Sequence, residues 1–428
     1  WMILLFMLSL TFLGYLIKWP LFRIPAGMSY FLLASVLCSI LGAWIYWFNK
    51  WQLTALLALI LIANQISKIP IIKNNIDAKS KAFGLNYDPK QFSIYTDSSL
   101  AVLYNRDSMQ ADYFHSVERL KAWSKNNTSP KGEKPIMICI CSSGGGLKSG
   151  FWTFRTLQLG DSLTNGKLLK STVLMTGASG GMFGMALYRD LLIEKSLGHI
   201  QNMNDKKYLD AVSSDLLNSL AVSMVTTDIF LPWLKVKIGN YIYKKDRGYY
   251  FENQWNENIG GLHTRTLDFY KSWEDSGMIP SIFITPTITG DARQLLISSN
   301  PQRHLVEPIN IDNYSQKEPN LIDFQSLFKL QGAKDLMYSS ALRMNASYPY
   351  IMPDAALPSR PLIEVIDSGF RDNQGINTLC RYLSVMRPWI EENVSKVIIL
   401  KIAAENVNHK VEIKQYRGLL SGLFNTFG

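Results

Sequence analysis

The stretch from residue 173 to residue 188, VLMTGASGGMFGMALY, places one serine in a turn of small residues between an apolar run and a helix-like run. Residues 177–181 of this turn fit the pattern G-x-S-x-G. That pattern is typical of a nucleophile lifted above a sheet on a strained turn, where the residues two before and two after it crowd each other and glycine relieves the clash. A serine at a helix N-terminus also faces free N–H groups, which favour a developing negative charge. The turn predicts Ser179 as a nucleophile, and the alternative is a turn that only needs small residues.

A second glycine-rich turn, in IMICICSSGGGLKSGFW, has the residues needed to stabilise the oxyanion that forms when a hydroxyl group attacks an ester. Gly144, Gly145 and Gly146 follow an apolar run and open a helix, so we predict that their backbone N–H groups form an oxyanion hole. Each donor of this kind is typically worth about 3 kcal/mol. Lys148 and Gly180 are predicted to bind substrate beside them. A phosphate-binding loop has the same geometry and is the alternative.

A serine nucleophile also needs a base. The chain has five histidines, and only His409 follows the carboxylates in the order serine, aspartate, histidine. Asp367 is the better candidate, because in IEVIDSGFRDNQGI it ends an apolar strand and precedes a turn of small residues. An aspartate is a weak base in water, so Asp367 is expected in a desolvated pocket. Asp372, five residues later, is predicted to be a local cap.

Alternating strand and helix patterns are expected to carry these turns. Strands are predicted at 135–141 and 172–176, and helices at 147–160 and 180–195. This βαβ pattern indicates an α/β fold with a mostly parallel sheet covered by helices. An amphipathic helix at 112–125 and later strands are also predicted, the strands at 280–288, 362–366 and 396–402.

The motifs together resemble the patatin-like phospholipase family. Gly-Gly-Gly-Leu-Lys at 144–148 comes first, Gly-Ala-Ser-Gly-Gly at 177–181 second, and Asp367-Ser368-Gly369 followed by Asp372-Asn373 third. The resemblance covers about residues 134–405, and the segments DRGYYFENQW, PSIFITPTITGDARQLL and SSALRMNASYPYIMP agree with it.

This resemblance implies a patatin-like three-layer fold and a Ser179–Asp367 dyad that works without histidine. It also implies that membrane phospholipids are the substrates and that the enzyme uses no cofactor and no metal. Two positions depart from the family pattern: Lys148 stands where arginine is usual, and Ser368 where glycine is common. Neither departure removes a catalytic group, but both bear on oxyanion geometry, so a weakened or specialised enzyme is one implication.

The N-terminal part of the chain has the composition of a membrane segment. Residues 1–73 contain no Asp or Glu and five basic residues, and they include three uncharged runs at 1–17, 28–48 and 51–67. A helix over 28–48 would be about 31 Å long, which fits a bilayer core. Three runs in succession exclude a signal peptide; a buried core hairpin is the other alternative. The short connection Asn49-Lys50 predicts a tight antiparallel hairpin between the second and third spans.

The basic residues around these runs predict the orientation. Lys18 and Arg23 follow the first run, four lysines follow the third, and only Lys50 lies between the other two. The more positive side is expected to be cytoplasmic. The predicted organisation is a transmembrane segment at 1–73, a connector at 74–133 and a hydrolase domain at 134–428. Because the chain begins with Trp1, we expect it to continue upstream, where a fourth span is allowed.

Charge and cysteine content exclude other classes. The residues after 73 hold 39 basic and 34 acidic side chains without a Lys/Arg block, so nucleic-acid binding is not expected. The four cysteines show no zinc spacing and are predicted to be free thiols. The basic, aromatic stretch at 228–251 is predicted either to lie on the bilayer surface or to pack as an ordinary helix and loop.

Two other functions fit parts of the sequence. TGASGGMFG nearly matches the loop T-G-x-x-x-G-x-G of short-chain dehydrogenases, and Tyr241 and Lys245 fit Y-x-x-x-K. However, the last glycine of the loop is displaced, and the Tyr–Lys pair follows too soon. The other rival is a catalytically inactive membrane scaffold or sensor on the same fold. The presence of both Ser179 and Asp367 counts against it.

Overall fold

The computed structural model describes residues 2–69, 78–128, 132–306, 310–311, 314–315 and 320–404, as a mixed α/β protein. The helices are α1 (Met2–Leu16), α2 (Ala26–Phe48), α3 (Gln52–Ile66), α4 (Asp97–Leu103), α5 (Arg106–Asn127), α6 (Gly146–Leu163), α7 (Lys167–Ser171), α8 (Ser179–Ser196), α9 (Lys206–Ser213), α10 (Leu217–Val225), α11 (Thr227–Phe230), α12 (Arg247–Asn258), α13 (Leu267–Asp275), α14 (Phe324–Leu327), α15 (Tyr338–Asn345), α16 (Gly369–Asp372) and α17 (Ile376–Asn393). The strands are β1 (Ser93–Ile94), β2 (Ile136–Ser142), β3 (Thr172–Gly177), β4 (Lys235–Ile238), β5 (Tyr241–Lys244), β6 (Ser281–Ile284), β7 (Thr287–Ile288), β8 (Gln294–Leu296), β9 (Asn310–Ile311), β10 (Tyr314–Ser315), β11 (Leu321–Asp323), β12 (Ala355–Leu357), β13 (Ser359–Arg360), β14 (Ile363–Ile366) and β15 (Lys396–Ile402).

A parallel four-stranded sheet with the order β15-β2-β3-β6 forms the centre of the domain. Side chains alternate along its strands, so Ile140 packs with the cluster of α6 and α8. Cys139 and Cys141 point to the opposite face, which α5 and α17 cover. Helices on both faces confirm the predicted mixed α/β class with a parallel sheet, and both cysteines are free thiols as predicted.

A second, mixed sheet continues the arrangement with the order β11-β8-β7-β14-β12. An antiparallel bridge between Ile284 and Ile297 joins the end of β6 to this sheet. The strand β14, which precedes Asp367, lies antiparallel to β7. The predicted strands at 280–288 and 362–366 are therefore present, the first of them divided into β6 and β7.

Residues 78–128, predicted as a connector, are part of the domain. The strand β1 pairs in parallel with β13, which lies more than 260 residues further along the chain. Leu120 and Trp123 of α5 are buried in the cluster beneath β2 and β3. The predicted amphipathic helix at 112–125 is present within α5, but its apolar face packs on the sheet, so this stretch is not a separate linker.

Three apolar helices occupy the N-terminal part of the chain. Among the described residues, one helical stretch, Ala26–Ile66, is long and apolar enough to cross a membrane, and little of it is buried. It consists of α2, one 3₁₀ turn at Asn49–Trp51 and α3. The helix α1 is apolar but shorter than the roughly 20 residues that a span needs.

The tight antiparallel hairpin predicted at Asn49-Lys50 is wrong. Asn49 does end α2, with a φ of +35°, but every residue from 56 to 66 of α3 is exposed, so α3 does not lie along α2. The sequence of α3 is apolar on every face. It therefore has no stripe that favours α2 over other apolar surroundings.

The beginning of the apolar segment docks on the domain. Leu10 and Ile17 of the first helical region are buried, and Ile17 packs against Val222 of α10 and Tyr250 of α12. Between α1 and α2, the guanidinium group of Arg23 donates hydrogen bonds to the Gln254 and Glu257 side chains at 2.6 and 2.8 Å. The α1–α2 connection thus lies against α12.

Candidate active site

Ser179 lies at the junction between β3 and α8 in a strained backbone conformation. Its φ is +48°, a value that residues with a side chain rarely adopt. Ala178 before it is extended, and α8 begins at Ser179 itself. Strain of this kind persists only where the surrounding structure enforces it, and it clusters at functional sites. The first N–H groups of α8 have no partner within the helix and lie beside the hydroxyl group.

The two glycines of G-x-S-x-G approach the end of β2. A Cβ atom built on Gly177 would lie 2.4 Å from Ser142 Oγ, and one on Gly181 would lie 2.4 Å from the Ser143 carbonyl oxygen. The atoms nearest to both positions belong to Ser142 and Ser143, so the close approach that these glycines permit is to the end of β2. They are small because the neighbouring strand end fills the space that a side chain would need.

The glycine loop and the serine turn are held together by direct backbone packing of α6 on α8. A Cβ atom on Gly180 would lie 1.9 Å from the Gly146 carbonyl oxygen. One turn later, a Cβ atom on Gly184 would lie 2.0 Å from the Gly150 carbonyl oxygen. The sequence interpretation missed Gly150 and Gly184. Their spacing of four residues from Gly146 and Gly180, which places each pair on one helix face, was the available signal.

Among the described residues, only part of the predicted oxyanion loop has backbone N–H groups without a hydrogen-bond partner. The Gly144 N–H group donates to the Asn373 carbonyl oxygen at 3.0 Å, so Gly144 is not a free donor, and its predicted role as one is wrong. Gly144 lies close to Ser179 instead, because a Cβ atom on it would be 3.3 Å from the serine Cβ. Gly145 and Gly146 have φ values of +138° and +59°, and neither donates its N–H group to another described residue.

Asp367 follows β14 and is 3% exposed. Its backbone N–H group donates to the Ser347 carbonyl oxygen at 3.0 Å, and its Oδ1 accepts from the Gly369 N–H group at 2.7 Å. Burial raises the pKa of the Asp367 carboxyl group, while hydrogen bonding by the Ser179 side chain and by the Gly369 N–H group opposes the rise. A raised pKa makes a carboxylate a stronger base, as the sequence interpretation required.

A buried asparagine ties the serine turn to the aspartate loop. The Asn345 side chain donates to the Gly177 carbonyl oxygen at 3.3 Å and accepts from the Thr285 N–H group at 3.0 Å. The backbone carbonyl oxygen of Asn345 accepts from both the N–H group and the hydroxyl group of Ser368. Serine at 368 therefore adds a hydrogen bond that glycine would lack. Nothing in the sequence pattern alone marked Asn345 for this position.

The aspartate after the turn has the local role that was predicted. The Asp372 carboxylate accepts hydrogen bonds from the backbone N–H groups of Ile376, Asn377 and Thr378, which open α17. These three bonds occupy both of its oxygens. Asp372 is therefore a helix cap.

A cavity of about 760 Å³ connects the candidate residues. Ser179, Asp367, Gly180 and the loop 144–146 line it on one side. The remaining wall is mainly apolar and includes Leu147, Phe183, Leu220, Phe251, Trp255 and Met352. A cavity of this size and composition accommodates a long apolar group, with the polar residues gathered at one position.

Several residues that the sequence suggested lie elsewhere. Lys148 is exposed and does not line the cavity. Of the histidines that the structure describes, none lines the cavity, and His409 is outside the described residues. Tyr241 and Lys245 also lie away from Ser179, so the dehydrogenase constellation is not assembled. Within the described ranges, no group of three or more His, Cys, Asp or Glu side chains has the arrangement of a metal site.

A comparison of the chain with protein-family models finds no matching family, and a comparison with curated proteins finds no similar sequence. The chemistry therefore has to be inferred from the site itself. What the site offers is a strained serine, a buried carboxylate with a raised pKa, and two backbone N–H groups without a partner among the described residues, all lining one mainly apolar cavity.

Proposed function

We propose that the chain is a membrane-anchored lipid acyl hydrolase of the patatin-like phospholipase type. The observation that carries this proposal is the position of Ser179, at a φ of +48°, in the same apolar cavity as buried Asp367. A serine that only fills a turn has no need of a strained backbone, a carboxylate partner and a cavity of this size. The family resemblance of the three motifs is consistent with the same chemistry.

The first half of the reaction uses the dyad as nucleophile and base. Ser179 Oγ attacks the ester carbonyl carbon, and its proton passes to the Asp367 carboxylate. The N–H groups of Gly145 and Gly146, with those at the start of α8, stabilise the resulting oxyanion. When the tetrahedral intermediate collapses, the carbon–oxygen bond to the leaving alcohol breaks, and that alcohol takes the proton from Asp367. The acyl group remains on Ser179.

The second half of the reaction restores the enzyme. Asp367, again a carboxylate, accepts a proton from a water molecule as that water attacks the acyl carbon. The bond to Ser179 Oγ breaks, the serine recovers its proton, and the fatty acid leaves along the apolar wall. No cofactor or metal takes part in this scheme, and every proton transfer is between Asp367 and the reacting oxygens.

The contacts of the apolar segment support a membrane substrate. The Ala26 N–H group donates a hydrogen bond to the Asn218 side chain, and the Ala78 carbonyl oxygen accepts one from the Lys244 ammonium group. Both residues therefore contact the domain. The segment between them therefore leaves the domain and returns to it on the same side of any membrane that it enters. The basic residues near Arg23 and after α3 favour the cytoplasmic side, so the substrate is a phospholipid of the cytoplasmic leaflet.

The decisive experiment compares full-length variants in detergent on a soluble short-chain ester and on phospholipid vesicles. Ser179→Ala and Asp367→Asn should each lower kcat/KM by about a thousandfold or more, since the members of such a unit are each indispensable. A fluorophosphonate probe should label the unaltered chain and not Ser179→Ala. His409→Ala is the control and should leave hydrolysis nearly unchanged.

The alternative, an inactive scaffold or sensor on this fold, makes the opposite forecast. It expects neither labelling by the fluorophosphonate nor ester hydrolysis by folded, full-length protein. That result, obtained with protein whose melting transition is cooperative, would sink the hydrolase proposal. Loss of activity in His409→Ala would instead replace the dyad by a triad.

A further inference from the structure

A second cavity, of about 610 Å³, lies apart from the one that contains Ser179 and shares none of its lining residues. Lysines are the charged groups of its wall, and aromatic residues accompany them. The polar and aromatic part of the lining consists of Lys79, Lys81, Lys235, Lys244, Tyr87, Tyr243 and Phe92. Neither the dyad nor the oxyanion donors use this cavity, so its charge needs another explanation.

Two of these lysines face each other across a strand pair. Lys235 of β4 is directly opposite Lys244 of β5 in the antiparallel register. Side chains in this relation share one face of the ribbon, and like charges there destabilise it. The cost is offset when an anion lies between the two ammonium groups. An ordinary solvated edge would be expected to place a carboxylate or a neutral residue opposite one of them.

Within the described ranges, most of the positive charge of the cavity has no acidic partner. Lys79 pairs with Glu364 at 3.1 Å. Among the residues that the structure describes, Lys81, Lys235 and Lys244 have no carboxylate within ion-pair distance. Lys244 donates to the Ala78 carbonyl oxygen, and Lys81 lies 4.5 Å above the ring of Tyr87. Burial also lowers the pKa of Lys81, a cost that a bound anion would relieve.

The cavity lies beside the apolar N-terminal segment. Leu231 touches α1, since a Cβ atom on Gly14 would be 2.8 Å from its side chain, and the next residue, Pro232, lines the cavity. Large apolar side chains at its margin are exposed, namely those of Trp233 and Ile242. Exposed aromatic and aliphatic side chains next to lysines are typical of a surface at the membrane interface.

We propose that the cavity around Lys81, Lys235 and Lys244 binds the phosphate group of an anionic membrane lipid. Ammonium groups from β4, β5 and the chain before β1 surround the phosphate oxygens, while Trp233 and Ile242 contact the acyl region at the bilayer surface. The site holds the domain in a fixed position on an anionic membrane, and it does not depend on hydrolysis at Ser179. A soluble phosphate ester offers the same oxyanion, so the experiment has to distinguish the two sources.

The test uses the full-length chain with Ser179→Ala, so that added lipid stays intact, purified in detergent and examined by native mass spectrometry. Phosphatidylglycerol and phosphatidylcholine are added separately at equal concentrations. The protein should retain phosphatidylglycerol about tenfold more strongly. Both lipids carry the phosphate group, but the choline ammonium group of phosphatidylcholine cancels its charge and is repelled by the lysines of the cavity. Replacing both Lys235 and Lys244 by glutamine should abolish this preference.

Two further variants separate the site from general surface charge and from misfolding. Lys237→Gln removes the same charge from the same hairpin but outside the cavity, and it should keep the preference. Replacing both Lys235 and Lys244 by arginine keeps the charge and should also keep the preference. An equal loss in Lys237→Gln would overturn the proposal, as would equal retention of the two lipids by the parent chain. Inorganic phosphate that raises the melting temperature through these lysines, without any lipid preference, would reassign the cavity to a soluble phosphate ester and overturn the lipid assignment.

Discussion

Alanine at Gly184 should reduce catalysis although this residue is more than a helical turn away from Ser179. A Cβ atom at this position would lie 2.0 Å from the Gly150 carbonyl oxygen, and real Cβ atoms are essentially never found within 3.0 Å of such an atom. The helices α6 and α8 must therefore separate by about 1 Å at this point. Because α6 begins at Gly146 and α8 begins at Ser179, the separation moves the proposed oxyanion donors relative to the proposed nucleophile.

The expected size of the effect follows from this displacement. A misplacement of about 1 Å between reacting groups costs on the order of a hundredfold in rate. Overpacking at a tight contact also costs about 1–3 kcal/mol of folding free energy, from which the better helix propensity of alanine recovers up to about 1 kcal/mol. Gly184→Ala should therefore lower kcat/KM by about a hundredfold while the protein still folds.

Two other glycines provide a graded series. On Gly150, a Cβ atom would lie 2.9 Å from the Gly180 carbonyl oxygen, a much smaller overlap. On Gly290, in the turn between β7 and β8, it would meet nothing within 4 Å. We expect Gly290→Ala to have the same kcat/KM as the parent chain. Gly150→Ala should lower kcat/KM by a few-fold, and Gly184→Ala should lower it the most.

The assay is hydrolysis of a soluble short-chain ester by full-length protein in detergent, with active sites counted by fluorophosphonate labelling. Normalising to labelled sites removes the contribution of unfolded protein. If Gly184→Ala matches Gly290→Ala per labelled site, backbone packing of α6 on α8 does not position the oxyanion donors. An activity loss that only follows the fraction of folded protein would refute the reasoning equally.

Three further predictions concern charge. Because burial raises the pKa of Asp367 and the dyad needs the carboxylate, kcat/KM should fall on the acid side at a pH above the ordinary aspartate value, measured as a pH–rate profile. Because the pKa of Asp367 is higher in the folded than in the unfolded chain, the protonated carboxyl group favours folding. This contribution is complete below pH 3.8 and is lost as the pH rises through the raised pKa. Asp367→Asn should therefore increase the free energy of unfolding at pH 7, by about 1.4 kcal/mol for each unit of the rise, and a denaturant titration that shows a decrease would contradict this. Arg23→Ala should lower that free energy by about 1–2 kcal/mol, because it removes hydrogen bonds to Gln254 and Glu257; Lys50→Ala, at the exposed end of α2, is the control and should not.

Much of the sheet and the position of Ser179 could be predicted because both depend on local patterns. The run 172–177 is buried throughout and is apolar apart from its two threonines, the glycines of the turn permit close backbone approach, and the first half of the helix that follows is almost entirely apolar. The predicted bounds of β2, β3 and β15 differ from the observed ones by a residue or so for the same reason. The structure of such segments follows from their local amino-acid sequence.

The parts that could not be predicted depend on contacts between distant segments. The Gly144 N–H group is not free to bind an oxyanion because it donates to the carbonyl oxygen of Asn373, which is 229 residues away along the chain. Asn345 makes hydrogen bonds to three separate parts of the chain: Gly177 at the end of β3, Thr285 after β6, and Ser368 in the aspartate loop. The pairing of β1 with β13, which brings the predicted connector into the domain, is equally remote. No periodicity or local motif encodes such partners.

The helix α10 connects the two features that the sequence could only treat separately, the apolar segment and the cavity. Leu216 and Leu220, four residues apart, lie on the face of this region that lines the cavity. Asn218 binds the start of α2, and Val222 packs against Ile17, so the opposite face holds the apolar segment. One helix therefore separates the candidate catalytic cavity from the apolar N-terminal segment. Under the proposed function, this arrangement would put the apolar wall of the cavity at the bilayer boundary. A lipid substrate would then need to be lifted only a short distance to reach Ser179, and the anchoring would raise the local substrate concentration without any additional contact.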